Sequence, residues 1–434
     1  LAPVTTQRKG ECRDICIVLL LGLRLRVGAR GSAFLCRSAI IRHMTDARPV
    51  VAAAKRTVFG KNRGSLSGIR PDDLLALSLK ELAESIPALD LGRIDDVIMG
   101  DANGAGEDNR NVARMGSLLA GFPVSVPGVT LNRLCGSGGE AIVQASRAVF
   151  TGDMDIVIAG GVESMSRAPF VLPKPEKPLD SGMKLEQTTV GWRMVNPEFP
   201  QHWTDSLGEC AQRSASELGI GRTEQDEWSV RSHELAEAAW DKGVHSGFAF
   251  SVNGLTRDES IRPGTTMQTL GALKAAFTTD GTVTAGNSSP INDGSVAALI
   301  TRPDFAADLQ LTPLATIVSS VVVAVEPDRF ANAPVPAMHK LLQRNNLTFD
   351  DIDLFEINEA FAAMVLTVLK EEPRINLSKV NPHGGSIAMG HPVGASAARV
   401  VVDAARNLQQ RGGGRAIATA CIGVGLGIAI LLEA

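Results

Sequence analysis

Three residues fit for proton and acyl-group chemistry stand at glycine-rich turns: Cys135 in TLNRLCGSGGEA, His391 in GGSIAMGHPVGAS and Cys421 in CIGVGLG. A thiolate is a strong nucleophile, and an imidazole can take the proton a thiol must lose to become one. With one cysteine used in that way, a second thiol is free to move a proton on a carbon acid. Cys135 marks the point where an extended apolar stretch stops and a helical pattern begins. The N-terminus of a helix presents unpaired N–H groups and a partial positive charge, which predicts a lowered pKa for this thiol. Taken alone, the same cysteine also reads as a small buried hydrophobe. The surrounding glycines let a narrow thioester arm approach the backbone, and the N–H groups of Cys135 and Gly423 are placed to hold an oxyanion.

The elements that must position these residues follow an α/β alternation. Apolar runs suited to strands buried on both faces (VVAAAK 50–55, DDVIMG 95–100, GVTLNRL 128–134, DIVIAGG 155–161) are separated by helical patterns such as PDDLLALSLKELAESI 71–86. A second series repeats the scheme with ATIVSSVVVAV 315–325, APVPAMHKLLQ 333–343, DIDLFEIN 351–358, EAFAAMVLTVLK 359–370, ASAARVVVDAARNL 395–408 and RAIATAC 415–421. The chain therefore reads as a duplicated α/β unit. Ligands of such sheets gather at the carboxyl ends of strands, which is where all three reactive residues fall. Residues 165–285 break the pattern with Pro-rich, mixed-charge sequence and one long helical segment, and are expected to form a lid, a substrate-binding subdomain or an oligomer contact.

Composition narrows the classes of function. The 434 residues are 44% hydrophobic and carry a net charge of −4, an ordinary globular profile. Eight of the 43 basic residues and two of the 47 acidic ones lie in residues 1–43, leaving 35 basic and 45 acidic residues beyond them. That balance offers no footprint for nucleic acid. The apolar run Ile15 to Leu23 is nine residues long, against about 20 for a membrane span. Residues 1–48 are read as an extension, disordered or cleaved: either sequence upstream of Met44 without a role of its own, or an Arg-rich transit peptide. The body is expected in the cytoplasm, or in an organelle matrix if the extension is a transit peptide. Its cysteines 135, 210 and 421 are too scattered for a disulfide framework, and no spacing suggests a metal site.

Seven stretches in order resemble the thiolases, which make or cleave a carbon–carbon bond beside a coenzyme A thioester. They are AAKRTVFGKNRGSL 53–66, NRLCGSGGEA 132–141, AGGVESMSRAP 159–169, DGTVTAGNSSPINDGS 280–295, INEAFA 357–362, NPHGGSIAMGHPVGAS 381–396 and CIGVGLG 421–427. The resemblance spans Arg48 to Ala434. It implies duplicated βαβαβαββ halves, residues 49–305 and 306–434, in a layered αβαβα core with an inserted loop domain. It further implies that Cys135 becomes acylated, that His391 activates it, and that Cys421 removes or returns the α-proton. Asn358 would hold a water that shares one oxyanion hole with His391, and the N–H groups of Cys135 and Gly423 would form the other. Ser289 matches a serine near the pantetheine arm, and Phe361 would line the same channel. Coenzyme A enters as co-substrate with acyl-CoA, no cofactor is held permanently, and a homodimer or homotetramer is expected to pair through an edge strand.

Several positions depart from the family pattern. His383 and Ser386 stand where asparagine and alanine are common, Gly139 where a larger apolar residue is, and Ser206-Leu207-Gly208 where biosynthetic members have His-Met-Gly. The last difference touches the acyl pocket, and residues 165–197 are more similar to degradative thiolases, including those acting on β-ketoadipyl-CoA. His383 is expected to hydrogen-bond on a turn and not to act as a second base. A ketoacyl synthase would need no second cysteine, which favours the thiolase reading through Cys421. A catalytically silent acyl-CoA-binding scaffold on the same fold is the alternative of another class.

Overall fold

The computed structural model describes residues 48–175, 177 and 182–434. The extension read over residues 1–48 thus lies, apart from Arg48, outside the described residues. The first half runs β1 (Val50–Thr57), α1 (Pro71–Glu84), β2 (Asp96–Gly100), α2 (Val112–Leu119), β3 (Gly128–Leu131), α3 (Ser137–Thr151) and β4 (Ile156–Ser164). Helices α4 (Leu207–Glu217) and α5 (Arg222–Asp241) then precede β5 (Asn292–Thr301). The second half runs β6 (Ala315–Ala324), α6 (Pro334–Asn345), β7 (Leu354–Ile357), α7 (Ala362–Glu371), α8 (Ser386–Met389), α9 (Val393–Arg411), β8 (Arg415–Ile422) and β9 (Leu426–Glu433).

Local chemistry explains the helix ends. Pro71 opens α1 and Asp72 and Asp73 fill its first turn, where a fixed φ and negative charge are both favourable. Helices α3 and α9 stop at Gly152 and Gly412, which take the left-handed conformation that ends a helix without a Cβ penalty.

The strands follow the order β7-β8-β9-β6-β1-β5-β4-β2-β3. Only two register pairs, Val50 with Thr316 and Val51 with Ala315, join β1 to β6, so the sheet is two sheets touching at a corner. In the first, β2 is parallel to β3 and β4, while β5 is antiparallel to both β4 and β1. The second repeats this with β7 parallel to β8, and β9 antiparallel to β8 and β6. Its counterpart of β3 is reduced to one parallel bridge between Phe355 and Val380.

Side chains alternate across each strand and so divide the apolar core into three. On β8 and β9, Ala418, Ala420, Ile428 and Ile430 face the central core with Ile142 and Val400 of α3 and α9. Between them, Ile417, Cys421 and Leu431 face an outer core with Met338 of α6 and Val365 of α7. On β4, Val157 likewise points inward, while Ile158 packs outward on Leu74 and Leu79 of α1. The layers are helix, sheet, helix, sheet, helix, the αβαβα arrangement expected from the sequence. Each fully buried Leu, Ile or Val contributes about 2 kcal/mol through the apolar surface it removes from water.

The middle layer positions the site. A Cβ at Gly138 of α3 would lie 2.7 Å from the carbonyl oxygen of Gly394, and one at Gly394 would lie 2.3 Å from that of Val162. Only glycine permits this approach, which sets the N-termini of α3 and α9 side by side, just beyond Cys135 and His391. Gly139, the departure noted above, faces Ala397 of α9 across a 3.1 Å gap to a built Cβ, so a larger side chain needs that helix to shift.

Residues 165–285, expected to form a lid, a substrate-binding subdomain or an oligomer contact, pack in part on the second half. Cys210, Ala211 and Ala215 of α4 and Trp228 of α5 join the outer core of the second half. Residues 188–194 wall a cavity above Cys135. Among the described residues no helix is long and apolar enough to cross a membrane.

Candidate active site

Cys135 lies between β3 and α3 on a turn fixed by its own side chains. Asn132 Oδ1 accepts the Leu134 N–H at 2.8 Å, and Ser137 Oγ accepts the Arg133 N–H at 2.9 Å while donating to the Leu134 carbonyl at 2.6 Å. These bonds hold Leu134 at φ 48°, a left-handed conformation costing about 1–2 kcal/mol for a residue with a Cβ. The Cys135 sulfur faces two backbone N–H groups, those of Gly423 and of Cys135 itself. The lowered pKa expected from the helix N-terminus is not found. Burial raises the thiol, the two N–H groups offset only part of that, and the nearby Glu163 adds to the rise.

Cys421 ends β8 and is 1% exposed. Its pKa is pushed well above the ordinary thiol value, first by burial and then by the charge of Cys135. The two thiols are therefore close enough for ionisation of one to oppose ionisation of the other. A Cβ on Gly136 would meet Ile422 Cδ1 at 2.3 Å, which shows how tightly the end of β8 abuts the Cys135 turn.

His391 is pinned from both ends. Its backbone N–H donates to Asn292 Oδ1 at 2.9 Å, and its ring Nδ1 lies 2.6 Å from Ser396 Oγ. Ser396 donates its single hydroxyl proton to the Pro392 carbonyl at 2.8 Å, so toward the imidazole it accepts. This network assigns the ring proton to Nδ1 and leaves Nε2 as the base. Burial, with a smaller contribution from Arg399, pushes the pKa of His391 down to about 4, so the ring is neutral at pH 7. Among the described residues, the hydrogen bonds of His391 run to Asn292 and Ser396 and none joins it to Cys135.

Asn358 follows β7 and is fully buried, with its N–H donating to the Thr419 carbonyl at 2.9 Å, two residues before Cys421. Its Oδ1 accepts from Ser386 Oγ at 2.7 Å, while its Nδ2 has no partner among the described residues. A buried amide donor without an acceptor is costly, and it fits a group that waits for a water or an oxyanion. Ser386 also accepts from Arg399 Nη2 at 3.1 Å, and Arg399 Nη1 donates to Asp403 Oδ2 at 2.8 Å. The departure from alanine at position 386 thus links Asn358 to a buried ion pair.

A cavity of about 520 Å³ opens over the nucleophile, lined by Cys135, Glu163, Arg193, Leu207, Val393 and Gly423 among others. The family model of the thiolase N-terminal domain matches residues 49–304, and that of the thiolase C-terminal domain matches residues 311–434. The chain belongs to the thiolase family. It is 47% identical over 389 residues to a β-ketoadipyl-CoA thiolase of Escherichia coli, covering 87% of this chain and 97% of that enzyme. It is 39% identical over 403 residues to an acetyl-CoA acetyltransferase of Cupriavidus necator, covering 90% of this chain and 100% of that enzyme. The crystal structure of human mitochondrial 3-ketoacyl-CoA thiolase in complex with CoA superposes with a TM-score of 0.84 at 34% identity, over 90% of this chain and 98% of the other. This thiolase is accordingly a CoA-dependent acyltransferase with the thiolase fold.

The remaining residues singled out in the sequence lie at varied distances from the two thiols. The Ser289 N–H donates to the Ala360 carbonyl at 2.9 Å, and Ser288 bridges to Phe361, whose ring meets Phe277 and Phe330 edge-on. Ser289 and Phe361 form a strip beside Asn358 and do not line the Cys135 cavity. His383 hydrogen-bonds with Asn407 and is lowered in pKa chiefly by burial. Leu207 lines the cavity, whereas Ser206 caps α4, its Oγ accepting the Glu209 N–H at 3.3 Å.

Several groups at the site were not found from the sequence. Ser396 and Asn292, which orient His391, are two of them. Glu359 anchors the thiolase's inserted helices: it accepts from Trp228 Nε1 at 3.1 Å and Ser232 Oγ at 2.6 Å of α5, and from Asn381 Nδ2 at 3.0 Å. The carboxyl pair Glu163 and Asp101 is a further such group. Glu163 Oε2 accepts the Ala102 and Gly394 N–H groups, both at 2.9 Å, capping the start of α9 beside Cys135. Burial first, then the charge of Asp108, raises Glu163 to about 7, and burial with the charges of Glu163 and Asp108 raises Asp101 to about 9. Asp101 Oδ2 has no donor aimed at it, as expected of a carboxyl that keeps its own proton and donates it to Glu163.

Proposed function

We propose that this thiolase cleaves 3-oxoacyl-CoA through an acyl-Cys135 intermediate, with a dicarboxylic 3-oxoadipyl thioester as its preferred substrate. The observation that carries the mechanism is the Cys135 sulfur facing the Gly423 N–H, with a second buried thiol, Cys421, within electrostatic reach. Cys135 gives its proton to His391 Nε2 and its sulfur adds to C3 of the substrate. The C2–C3 bond then breaks, its electron pair passes to C2, and Cys421 supplies the proton that completes acetyl-CoA. The deprotonated Cys421 next takes the proton of the coenzyme A thiol, whose sulfur attacks the acyl group on Cys135; the bond from that carbonyl to Cys135 breaks, His391 returns its proton to Cys135, and a shortened acyl-CoA leaves. The Cys135 and Gly423 N–H groups hold one oxyanion, and a water held by Asn358 Nδ2 holds the other together with His391. Burial raises both thiols above the ordinary thiol value, so each depends on a proton acceptor or donor within the site.

The substrate assignment is supported by the β-ketoadipyl-CoA thiolases among the relatives. Ser289 and Phe361, which stand beside Asn358 and apart from the cavity over Cys135, are assigned to the pantetheine channel on the family resemblance of their motifs, and residues 49–305 and 306–434 to the two duplicated halves. A homodimer or homotetramer pairs through β3, the terminal strand of its sheet, where Val129 is 44% exposed. The proposed location is the cytoplasm or an organelle matrix. Initial rates of thiolysis with acetoacetyl-CoA, longer 3-oxoacyl-CoA and 3-oxoadipyl-CoA test the activity and its preference. Acid-quenched protein mixed with acetyl-CoA must carry label on Cys135, and absence of both label and turnover would favour the silent scaffold.

A further inference from the structure

The cavity above Cys135 is walled mainly by apolar groups, including Leu134, Met165, Trp192, Met194 and Val393. One cation interrupts this wall: Arg193, in the segment TTVGWRM. Nearby arginines are matched with carboxylates, Arg133 with Glu140, Arg167 with Glu107, and Arg213 with Asp328. Among the described residues Arg193 forms no ion pair, and its one hydrogen bond runs from Nη2 to Asn103 Oδ1 at 3.3 Å. The one acid that lines the same wall among the described residues, Glu163, is turned to the Ala102 and Gly394 N–H groups instead.

The partner that does hold Arg193 is itself fixed. Asn103 Nδ2 donates to Thr188 Oγ1 at 3.1 Å and to the Thr188 carbonyl at 3.3 Å, which turns Oδ1 toward the guanidinium. Thr188 Oγ1 in turn donates to the Pro169 carbonyl at 2.6 Å. The guanidinium is thus steadied by a neutral acceptor and keeps most of its five N–H donors for something else. In a half-apolar cavity that arrangement is poorly suited to an alkyl chain and well suited to a planar anion.

We propose that Arg193 is the subsite for the free carboxylate of a dicarboxylic 3-oxoacyl thioester. The inference rests on the thiolase reading above and deepens it. In 3-oxoadipyl-CoA the terminal carboxylate is two methylenes from the carbonyl that Cys135 attacks, so it stays on the enzyme as part of the succinyl group after acetyl-CoA departs. Arg193 therefore holds the substrate, the succinyl-Cys135 intermediate and the product succinyl-CoA by the same group. The phosphates of coenzyme A are the competing source of negative charge, and they are common to every substrate of the enzyme.

That difference decides the test. Thiolysis is measured for the wild type, Arg193→Gln and Arg193→Lys with 3-oxoadipyl-CoA, with 3-oxohexanoyl-CoA, which has the same chain length and a methyl end, and with acetoacetyl-CoA. Arg193→Gln is expected to lower kcat/KM for 3-oxoadipyl-CoA by about 10- to 100-fold, the size of one charge-assisted hydrogen-bonded pair. Its rates on the two uncharged substrates and its KM for coenzyme A stay within about twofold of wild type, and Arg193→Lys recovers part of the loss. Equal losses on all substrates, or a raised KM for coenzyme A, would assign Arg193 to the fold or to the phosphates and overturn the subsite. So would a wild type that cleaves 3-oxohexanoyl-CoA but not 3-oxoadipyl-CoA, an outcome that leaves the thiolase reading intact. A wild type inactive on all three, with no acyl label on Cys135, removes that reading and the subsite with it.

Discussion

Ser386 Oγ donates to Asn358 Oδ1 at 2.7 Å, and this bond turns the unpartnered Nδ2 of Asn358 away from Ser386. Alanine, common in the family at position 386, cannot make it. Ser386→Ala leaves Asn358 free to rotate and deprives Arg399 Nη2 of its acceptor. One positioning hydrogen bond is worth about 1 kcal/mol, so kcat for cleavage should fall about fivefold with KM little changed. The acyl group on Cys135 should still form from acetyl-CoA, which separates loss of one oxyanion contact from loss of the fold. Unchanged kcat would show that Asn358 is held by its backbone alone.

The two thiols should separate by step. Cys135→Ser is expected to abolish acyl-enzyme formation, because an alkoxide is far harder to generate than a thiolate at neutral pH. Cys421→Ser should still take an acetyl group from acetyl-CoA onto Cys135, since that half-reaction involves no carbon acid. Condensation and carbon–carbon cleavage should nevertheless slow by about 10²–10⁴-fold, the usual worth of a general acid or base. Mass spectrometry of both variants, beside their thiolysis rates, checks this. Acetyl found on Cys421 of the Cys135→Ser protein would reverse the assignment.

Much of this architecture is legible in the sequence because burial writes it there. Strand β4 is buried along its whole length, and its IVIAGG shows this as an apolar run without polar alternation. The third strand of the second half left no such run, because it survives only as the bridge at Val380. At the site, glycine-rich turns mark Cys135, His391 and Cys421, whereas their supports are separated in the chain: Ser386 lies 28 residues from Asn358, and Asn292 lies 99 from His391. No local pattern announces such pairs. The pKa of Cys135 went the other way from expectation because a helix N-terminus shows in sequence while desolvation does not. Arg193 sits in a loop whose residues signal ancestry and substrate alike, and only its place in the cavity wall separates the two.

The contact between α3 and α9 gives a stability prediction. A methyl group on Gly394 would meet the Val162 carbonyl at 2.3 Å and Glu163 Oε2 at 2.9 Å. Neither is the end of a flexible surface chain, so Gly394→Ala must push apart the central helices or β4. Overpacking of this kind costs about 1–3 kcal/mol, and here it also displaces the loop that carries His391. Urea unfolding should show the loss, and activity should fall further than stability alone accounts for. A variant as stable and active as wild type would mean that the middle layer can expand without moving the site.

Stability should decline on both sides of neutrality, for separate reasons. His233, His245 and His391 are pushed to about 4, chiefly by burial, so they stay neutral in the fold while the unfolded chain takes up protons below about 6.5. Their contribution is present above that value and is lost as pH falls through the window from 6.5 to 4. Glu163 and Asp101 act in the opposite sense, because their folded pKa values, about 7 and about 9, lie above the ordinary carboxylate range. Their contribution is complete below the unfolded carboxylate values and is lost as pH rises through 7 and then 9. Asp101→Asn supplies a permanent N–H donor where the protonated carboxyl stood, so it should flatten the alkaline decline and, because Asp101 opposes the histidines from the unfolded carboxylate value up to 6.5, steepen the acid limb. Urea midpoints for wild type and Asp101→Asn at intervals from pH 4 to 10 provide the measurement. An alkaline limb of unchanged steepness in the variant would show that the proton shared by Asp101 and Glu163 does not govern it.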